Sequence, residues 1–441
     1  MKIAVVLLAL CTFMGCGGDS PSADSSGSDI GLDVHDTSDS GSDVTDQGGG
    51  EDSSTACESE GETPPVVAET MGVFDPVRRR LVFYSGDDGL PVNCSNTGHV
   101  VGVDGLWVYD AVCATFEKKD GLAMKPPPRA RGMAVYDADR DQMILFGGRS
   151  RPTSSGPYTV YNDVWALNLE TFVWTELVSE GPKPVARSNP AGAYNHVTQE
   201  MLVFGGNSST SGLSFSPHDD VWAFHIATQS WREIPATGSR PVARLFHSAA
   251  VDVENDHLYV FGGGDANAWQ GPFLADLWRF DLSTGVWEEL HSGGVGAPAG
   301  RIWSTITYDS FNQRVLLFGG HDDGAVGNNN DTWQFDTETN QWSAIVEPET
   351  VNAQPNGFCD FPADFTLPNM EAPDRRSAHL AALDPTRGEW VVFGGKTDCG
   401  IIDDVWVFDV TRDEWLRLFT ATVGESCLRG ANPNFCFAMC Q

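Results

Sequence analysis

The sequence predicts an all-β fold in which six four-stranded units surround a central axis. Three features carry that prediction. A pattern returns every 57 or 58 residues over most of the chain, a glycine pair sits at the same point of each clear copy, and tryptophans keep register with it.

One unit runs through residues 244–252, 258–263, 276–281 and 286–290, and the same pattern begins at Arg131, Arg187, Arg301 and Arg376. Its glycine pairs are Gly147 and Gly148, Gly205 and Gly206, Gly262 and Gly263, Gly319 and Gly320, and Gly394 and Gly395. The last step is longer because of an insertion between about 346 and 375. A fainter copy comes first, with residues 81–86 and 106–110 as its second and third strands. Phe116 takes the place of the last Trp there, and Glu69 stands where the other copies have Arg. Each unit divides into four short apolar, β-branched or aromatic stretches separated by Gly, Asn, Asp or Pro, the pattern of short antiparallel strands.

Six such copies over residues 66–420 resemble the kelch family, and the resemblance implies a six-bladed kelch β-propeller with a disordered acidic N-terminal tether. One blade alone cannot cover its two apolar faces, whereas radial packing of six buries them. The third-strand Trp107, Trp165, Trp222, Trp278, Trp333 and Trp406 are expected to pack between blades, as are the fourth-strand Trp174, Trp231, Trp287, Trp342 and Trp415. The glycine pairs are expected to supply positive φ or close backbone approach.

The segments outside the propeller read as an address. Residues 1–15 look like a signal peptide, with Lys2 followed by an apolar run. The sequence from Phe13 to Cys16 resembles a bacterial lipobox, which implies lipidation of Cys16. Gly17 after it resembles the outer-membrane pattern of Gram-negative lipoproteins. Residues 16–63 form a lipidated acidic Ser/Asp/Gly-rich linker, 64–420 the propeller and 421–441 a Cys-rich tail. Residues 17–62 hold 13 Asp/Glu, no Lys or Arg and no aromatic residue, too little apolar surface to offset ordering. The expected location is therefore the outer membrane or cell surface, with the lipid as the only membrane contact.

With 61 Asp+Glu against 27 Lys+Arg, the chain has a net charge of −34, which argues against nucleic acid as a partner. Beyond Cys16 eight cysteines remain: Cys57, Cys94, Cys113, Cys359, Cys399, Cys427, Cys436 and Cys440. In an exported protein they imply up to four disulfides. Cys57 lies before the ring and Cys427, Cys436 and Cys440 after it, so a bridge between these groups is expected to staple the termini. No Cys-x-x-Cys occurs, and no metal site or cofactor is expected.

In an antiparallel meander the loops between second and third strands open on the same face as the links between blades. Those loops are long here, and variable loops on a rigid scaffold are where binding groups usually sit. Trp269, Arg149, Arg151 and His321 are the candidate ligand-binding residues. Trp269 either stacks on a sugar or apolar side chain or packs its own loop. Arg149 and Arg151 are the local basic exception in an acidic chain. His321, with Asp322, Asp323 and residues 328–330, belongs either to a solvated polar loop or to a cation site.

The recurrent Arg131, Arg187, Arg244, Arg301 and Arg376 either ring a channel mouth or pair with carboxylates of the blades, and recurrence in each copy favours pairing. His247 and His379 share a repeat position and read as fold residues. No catalytic residue can be named. The preferred reading is a surface-displayed, monomeric binding module for a protein or glycan partner. The alternative is a carbohydrate-active enzyme resembling galactose oxidase or the sialic acid epimerases, for which no ligand set can be assigned.

Overall fold

The computed structural model describes residues 57, 61–88, 102–153, 156–212, 214–268, 271–322, 327–348, 372–397 and 400–422. Cys16, Trp269, Cys94, Cys359, Cys399, Cys427, Cys436 and Cys440 lie outside these residues, as do the signal peptide, nearly all of the acidic linker and nearly all of the C-terminal tail.

The chain forms six sequence-contiguous antiparallel blades, as the repeat requires. Blade 1 consists of Met71–Asp75, Arg80–Tyr84, Leu106–Asp110 and Thr115–Lys119. Blade 2 consists of Met133–Asp137, Gln142–Phe146, Val164–Asn168 and Trp174–Glu176. Blade 3 has Ala191–Asn195, Glu200–Phe204, Val221–His225 and Ser230–Ile234, and blade 4 has Ser248–Asp252, His257–Phe261, Leu277–Asp281 and Val286–His291. Blade 5 has Thr305–Asp309, Arg314–Phe318, Thr332–Asp336 and Gln341–Val346, and blade 6 has Leu380–Asp384, Glu389–Thr397, Gly400–Asp409 and Glu414–Phe419.

Strand composition follows position in the ring. Second strands are sandwiched between neighbouring blades and are nearly continuous apolar runs; Glu200–Phe204 is buried throughout. Outer strands are mostly exposed instead. In Ser230–Ile234, Trp231 and Ile234 are buried while Ser230, Arg232 and Glu233 are exposed. Six clusters of buried apolar residues each span one blade interface, including one that joins blade 6 to blade 1.

One aromatic contact recurs at every interface. The fourth-strand aromatic of each blade meets the aromatic that ends the second strand of the preceding blade. The pairs are Tyr84–Trp174, Phe146–Trp231, Phe204–Trp287, Phe261–Trp342 and Phe318–Trp415, with centroids 5.3, 5.0, 5.0, 5.6 and 4.7 Å apart. The fourth-strand tryptophans thus have the inter-blade role expected of them.

The repeated arginines prove to be scaffold. Arg187 donates bidentately to Asp220 at 2.6 and 2.9 Å and also to the carbonyl of Gly205 at 2.8 Å. Asp220 in turn accepts from Trp222 Nε1 at 2.8 Å. The same Arg–Asp–Trp set recurs as Arg244–Asp276–Trp278, Arg301–Asp331–Trp333 and Arg376–Asp404–Trp406. In blade 2, however, the arginine is Arg129, paired with Asp163 at 2.5 and 2.9 Å. Assigning Arg131 to this position is therefore a register error of two residues, invited by two arginines two apart. The arginine position in blade 1 is Val67, not Glu69, and Gly105 stands where the aspartate would be. Blade 1 has lost the buried charge and its partner together.

The backbone of these arginines joins blades. The second glycine of one blade donates to the next arginine's carbonyl: Gly148 to Arg187, Gly206 to Arg244, Gly263 to Arg301 and Gly320 to Arg376, all at 2.8–2.9 Å. Gly148 has φ +98, and a Cβ there would sit 2.9 Å from the Ala130 carbonyl oxygen.

Cys57 is bonded to Cys113 within blade 1, so the expected staple from Cys57 to the C-terminal cysteines does not form. The reason is local. Glu62 N donates to Phe116 O at 2.7 Å, laying the incoming chain along the outer strand of blade 1 and bringing Cys57 to the turn before that strand. Ring closure instead uses side chains, Phe116 on Phe393, Arg79 to Glu389 at 3.0 Å and Lys396 to Glu69 at 2.7 Å, together with a backbone bond from Glu69 N to Ala378 O at 2.9 Å.

Candidate functional site at the channel mouth

The two faces of the ring differ in how strictly the repeat controls them. On one face, each turn from first to second strand is capped by the residue ending the first strand. Asp75, Asp137, Asn195, Asp252, Asp309 and Asp384 each accept from a backbone N–H two or three residues on. Six blades thus use one chemistry, which is what a scaffold demands.

The opposite face carries the links between blades and the loops between second and third strands. There the residue two before each first strand has a left-handed backbone in all six blades: Glu69, Arg131, Asn189, Phe246, Trp303 and Ala378, with φ of 53–61°. Their backbones are chained around the axis. Arg131 N donates to Glu69 O, Asn189 N to Arg131 O, Trp303 N to Phe246 O, Ala378 N to Trp303 O and Glu69 N to Ala378 O, at 2.6–3.1 Å. The backbone is uniform, yet no two of the six side chains are alike.

These six residues rim a cavity of about 240 Å³ lined below by the first strands. Glu69 and Arg131 form a buried ion pair, with Nη2 to Oε1 at 2.8 Å and a second contact through Nε. Burial would raise the Glu69 pKa, but Arg131 and Lys396 override it and hold the carboxyl well below its ordinary range. The Arg131 guanidinium reaches across the mouth to within 5.7 Å of the Phe246 ring and 5.6 Å of Trp303. Among the described residues its Nη1 has no acceptor, and Trp303 Nε1 has none either. His247 and His379 lie deeper, each edge-on to the aromatic of the preceding blade. Burial, aided by Arg244 and Arg376, pushes both imidazoles down to about 3, so they are neutral near pH 7.

Beside this mouth, Arg149 and Arg151 stand in a small hairpin, Arg149–Ser150 paired with Thr159–Val160. Their guanidinium groups lie 3.9 and 4.5 Å from the ring centroid of Tyr158. Tyr158 N donates to Thr210 O at 2.8 Å, which ties this loop to that of blade 3. Thus two of the four sequence candidates come together at the mouth, whereas Trp269 lies outside the described residues. His321 sits in the blade 5 loop and is buried with Asp322, Asn328, Asn329 and Asn330. The solvated-loop expectation fails there, because the short pairing of His321–Asp322 with Gly327–Asn328 folds the polar groups onto one another. Among the described residues no group of three or more His, Cys, Asp or Glu is placed to hold a metal.

Glu69, Phe246 and Trp303 at the rim were not singled out as binding residues by sequence reasoning. Their signal was present as variation at a fixed offset, two residues after the scaffold arginine, and the register error in blade 2 concealed it.

Residues 92–235 and 191–361 match the model of the KLHDC2/KLHL20/DRC7 Kelch-repeats domain. The chain belongs to the Kelch-repeat family. Kelch domain-containing protein 10 of Rattus norvegicus is 26% identical over 311 residues, 68% of this chain and 67% of the relative. The Homo sapiens protein of the same name is 25% identical over 311 residues, 68% of this chain and 62% of its own length. Acyl-CoA-binding domain-containing protein 5 of Arabidopsis thaliana is 27% identical over 218 residues, 49% of this chain and 31% of the relative. Kelch propellers typically serve as protein-interaction modules.

Proposed function

We propose that this Kelch propeller binds a protein partner on the face bearing the channel mouth. One observation supports this above others: six residues on one repeated backbone conformation carry six different side chains, while the opposite face repeats a single capping chemistry. A side chain that the fold needs is the same in every blade, and one that differs is free to serve recognition. Arginine and tryptophan, both at this mouth, are among the residue types that dominate interface energetics. The carbohydrate-enzyme alternative is less well supported, since Glu69, the carboxylate at the rim, is engaged by both Arg131 and Lys396.

A photo-reactive phenylalanine analogue placed at Trp303 tests the reading against the same analogue at Val197, in a turn of the capped face. Protein adducts should form from position 303 and not from 197. Equal labelling, or the reverse, overturns the assignment.

Display at the cell surface and glycan recognition belong to the same proposal. The lipobox-like run to Cys16 and a disulfide suited to an oxidising compartment support the first. Cys16→Ser should move the protein from the detergent-phase to the aqueous fraction, and unchanged partitioning would sink the anchoring. A glycan, if bound, should compete with the crosslink at 303.

A further inference from the structure

The blade arginines and Arg314 all have carboxylate partners: Arg129, Arg187, Arg244, Arg301 and Arg376 each hold one aspartate, and Arg314 holds Asp309 and Asp413. Arg149 is also buried, at 5% exposure, yet among the described residues its Nε has no hydrogen-bond partner. Arg151, half-buried, has an unpartnered Nε as well. What holds the two guanidinium groups is Tyr158, against whose ring both lie. A buried cation without an acceptor is costly unless something outside the fold supplies one.

The surroundings add to this. Burial, and then the charge of Arg131, depress the Arg149 pKa to about 10, only partly offset by Tyr158, Glu69 and Asp87. Glu69 is already shared between Arg131 and Lys396. Arg131, Lys396, Arg149 and Arg151 gather at this corner of the mouth, with Glu69 and Asp87 as carboxylates that act on Arg149, on a chain whose net charge is −34. The overall field repels anions, so this corner is a local exception. Guanidinium forks match oxyanions in shape, and removal from water strengthens the contact.

We infer that Arg149 and Arg151, with the open Nη1 of Arg131 beside them, form a recognition site for a side-chain oxyanion, carboxylate or phosphate, on an acidic peptide segment of the partner. The inference rests on the assignment of this face as the binding face and names the chemistry that the face selects. Tyr158 sets the distance between the two forks, and the link from Tyr158 to Thr210 keeps that arrangement fixed before the ligand arrives.

The test uses the purified full chain at 0.15 M salt, where long-range repulsion is screened within about 8 Å. Fluorescein-labelled octapeptides of glutamate, of glutamine, and of glutamine carrying three phosphoserines are titrated by anisotropy. At least one charged peptide should bind tenfold or more tighter than the glutamine peptide, and the tighter of the two identifies the oxyanion. The double change Arg149→Gln with Arg151→Gln should erase the preference. Arg240→Gln, which removes an exposed arginine paired with Asp219, should leave it unchanged. If the double variant melts early, Arg151→Gln alone is read and should weaken binding at least threefold. Parity of all three peptides on the unaltered protein, or a preference that survives these changes, overturns the inference. If the crosslink at 303 is nevertheless obtained, only the acidic ligand is lost; if that fails too, the binding face itself is wrong.

Discussion

Phe116, on the outer strand of blade 1, packs 5.6 Å from Phe393, in the second strand of blade 6. The other five interfaces place a tryptophan where Phe116 stands, so this contact is the ring closure written in the repeat's own terms. Phe116 also meets Phe83, Tyr109 and Phe419, which makes it the centre of the seam. Phe116→Ala should cost roughly 3–5 kcal/mol by denaturant titration. Trp231→Ala at an ordinary interface should cost a similar amount. A loss below about 1 kcal/mol for Phe116→Ala would show that the seam is held by something else.

Arg187 and Asp220 make a second prediction, one with a pH signature. Burial alone would raise the Asp163 and Asp220 pKa values, but the hydrogen bonds and charge of Arg129 and Arg187, with Trp165 and Trp222, hold both below the ordinary 3.8. A carboxyl with a depressed folded pKa contributes stability that is complete above its unfolded pKa and lost as pH falls through the folded one. Asp220→Asn strands Arg187, whose side chain is 0% exposed, and should cost roughly 3–5 kcal/mol at pH 7. Melts repeated down to pH 2 should show that difference shrinking below about pH 4. A gap independent of pH would remove the ion pair from the explanation.

The Cys57–Cys113 bond closes a segment with a sequence separation of 56 that includes the first three strands of blade 1. Its loss should lower stability by roughly 2–4 kcal/mol, chiefly by freeing the unfolded chain. Cys57→Ser and Cys113→Ser should each produce that loss, and reducing agent should then have no further effect on this blade. A melt of Cys57→Ser that matches the unaltered protein would show that the bridge constrains nothing.

Phe116 was legible as the tryptophan's substitute because the repeat placed it, and the four strands of each unit were legible as short apolar, β-branched or aromatic stretches bounded by Gly, Asn, Asp or Pro. The disulfide was not. Eight cysteines carry no pairing in their spacing, and the strand-like path of residues near Glu62 that selects Cys113 is a backbone feature without an apolar signature. Arg129 and Arg131 show a subtler limit. Either fits the repeat as a pattern of letters, and only the bidentate geometry to Asp163 decides. That one choice also hid the mouth position, which became visible once Arg131, Asn189, Phe246, Trp303 and Ala378 fell into register. The burial of His321 was hidden because polarity reads as exposure when the strand it pairs with, Gly327–Asn328, is not known.

Glu69 offers a prediction in which stability and binding move in opposite directions. Its carboxylate accepts from Arg131 and Lys396, whose side chains are only 9% and 12% exposed. Glu69→Gln keeps the shape and one acceptor but removes the charge, and should destabilise the fold by about 1–3 kcal/mol, the scale of a hydrogen bond to a charged group. Because Arg131 and Lys396 hold the Glu69 pKa well down, the carboxylate stays ionised through the neutral and mildly acidic range. The effect of the change should therefore be constant from pH 8 to 5. The same substitution leaves Arg131 freer and raises the positive charge at the corner shared with Arg149 and Arg151. Affinity for the better-bound acidic octapeptide should rise, by about threefold, while the melting temperature falls. General damage to the mouth would lower both, and an acidic ligand seated elsewhere would feel neither change, so anisotropy and melting curves on this one variant separate the three cases.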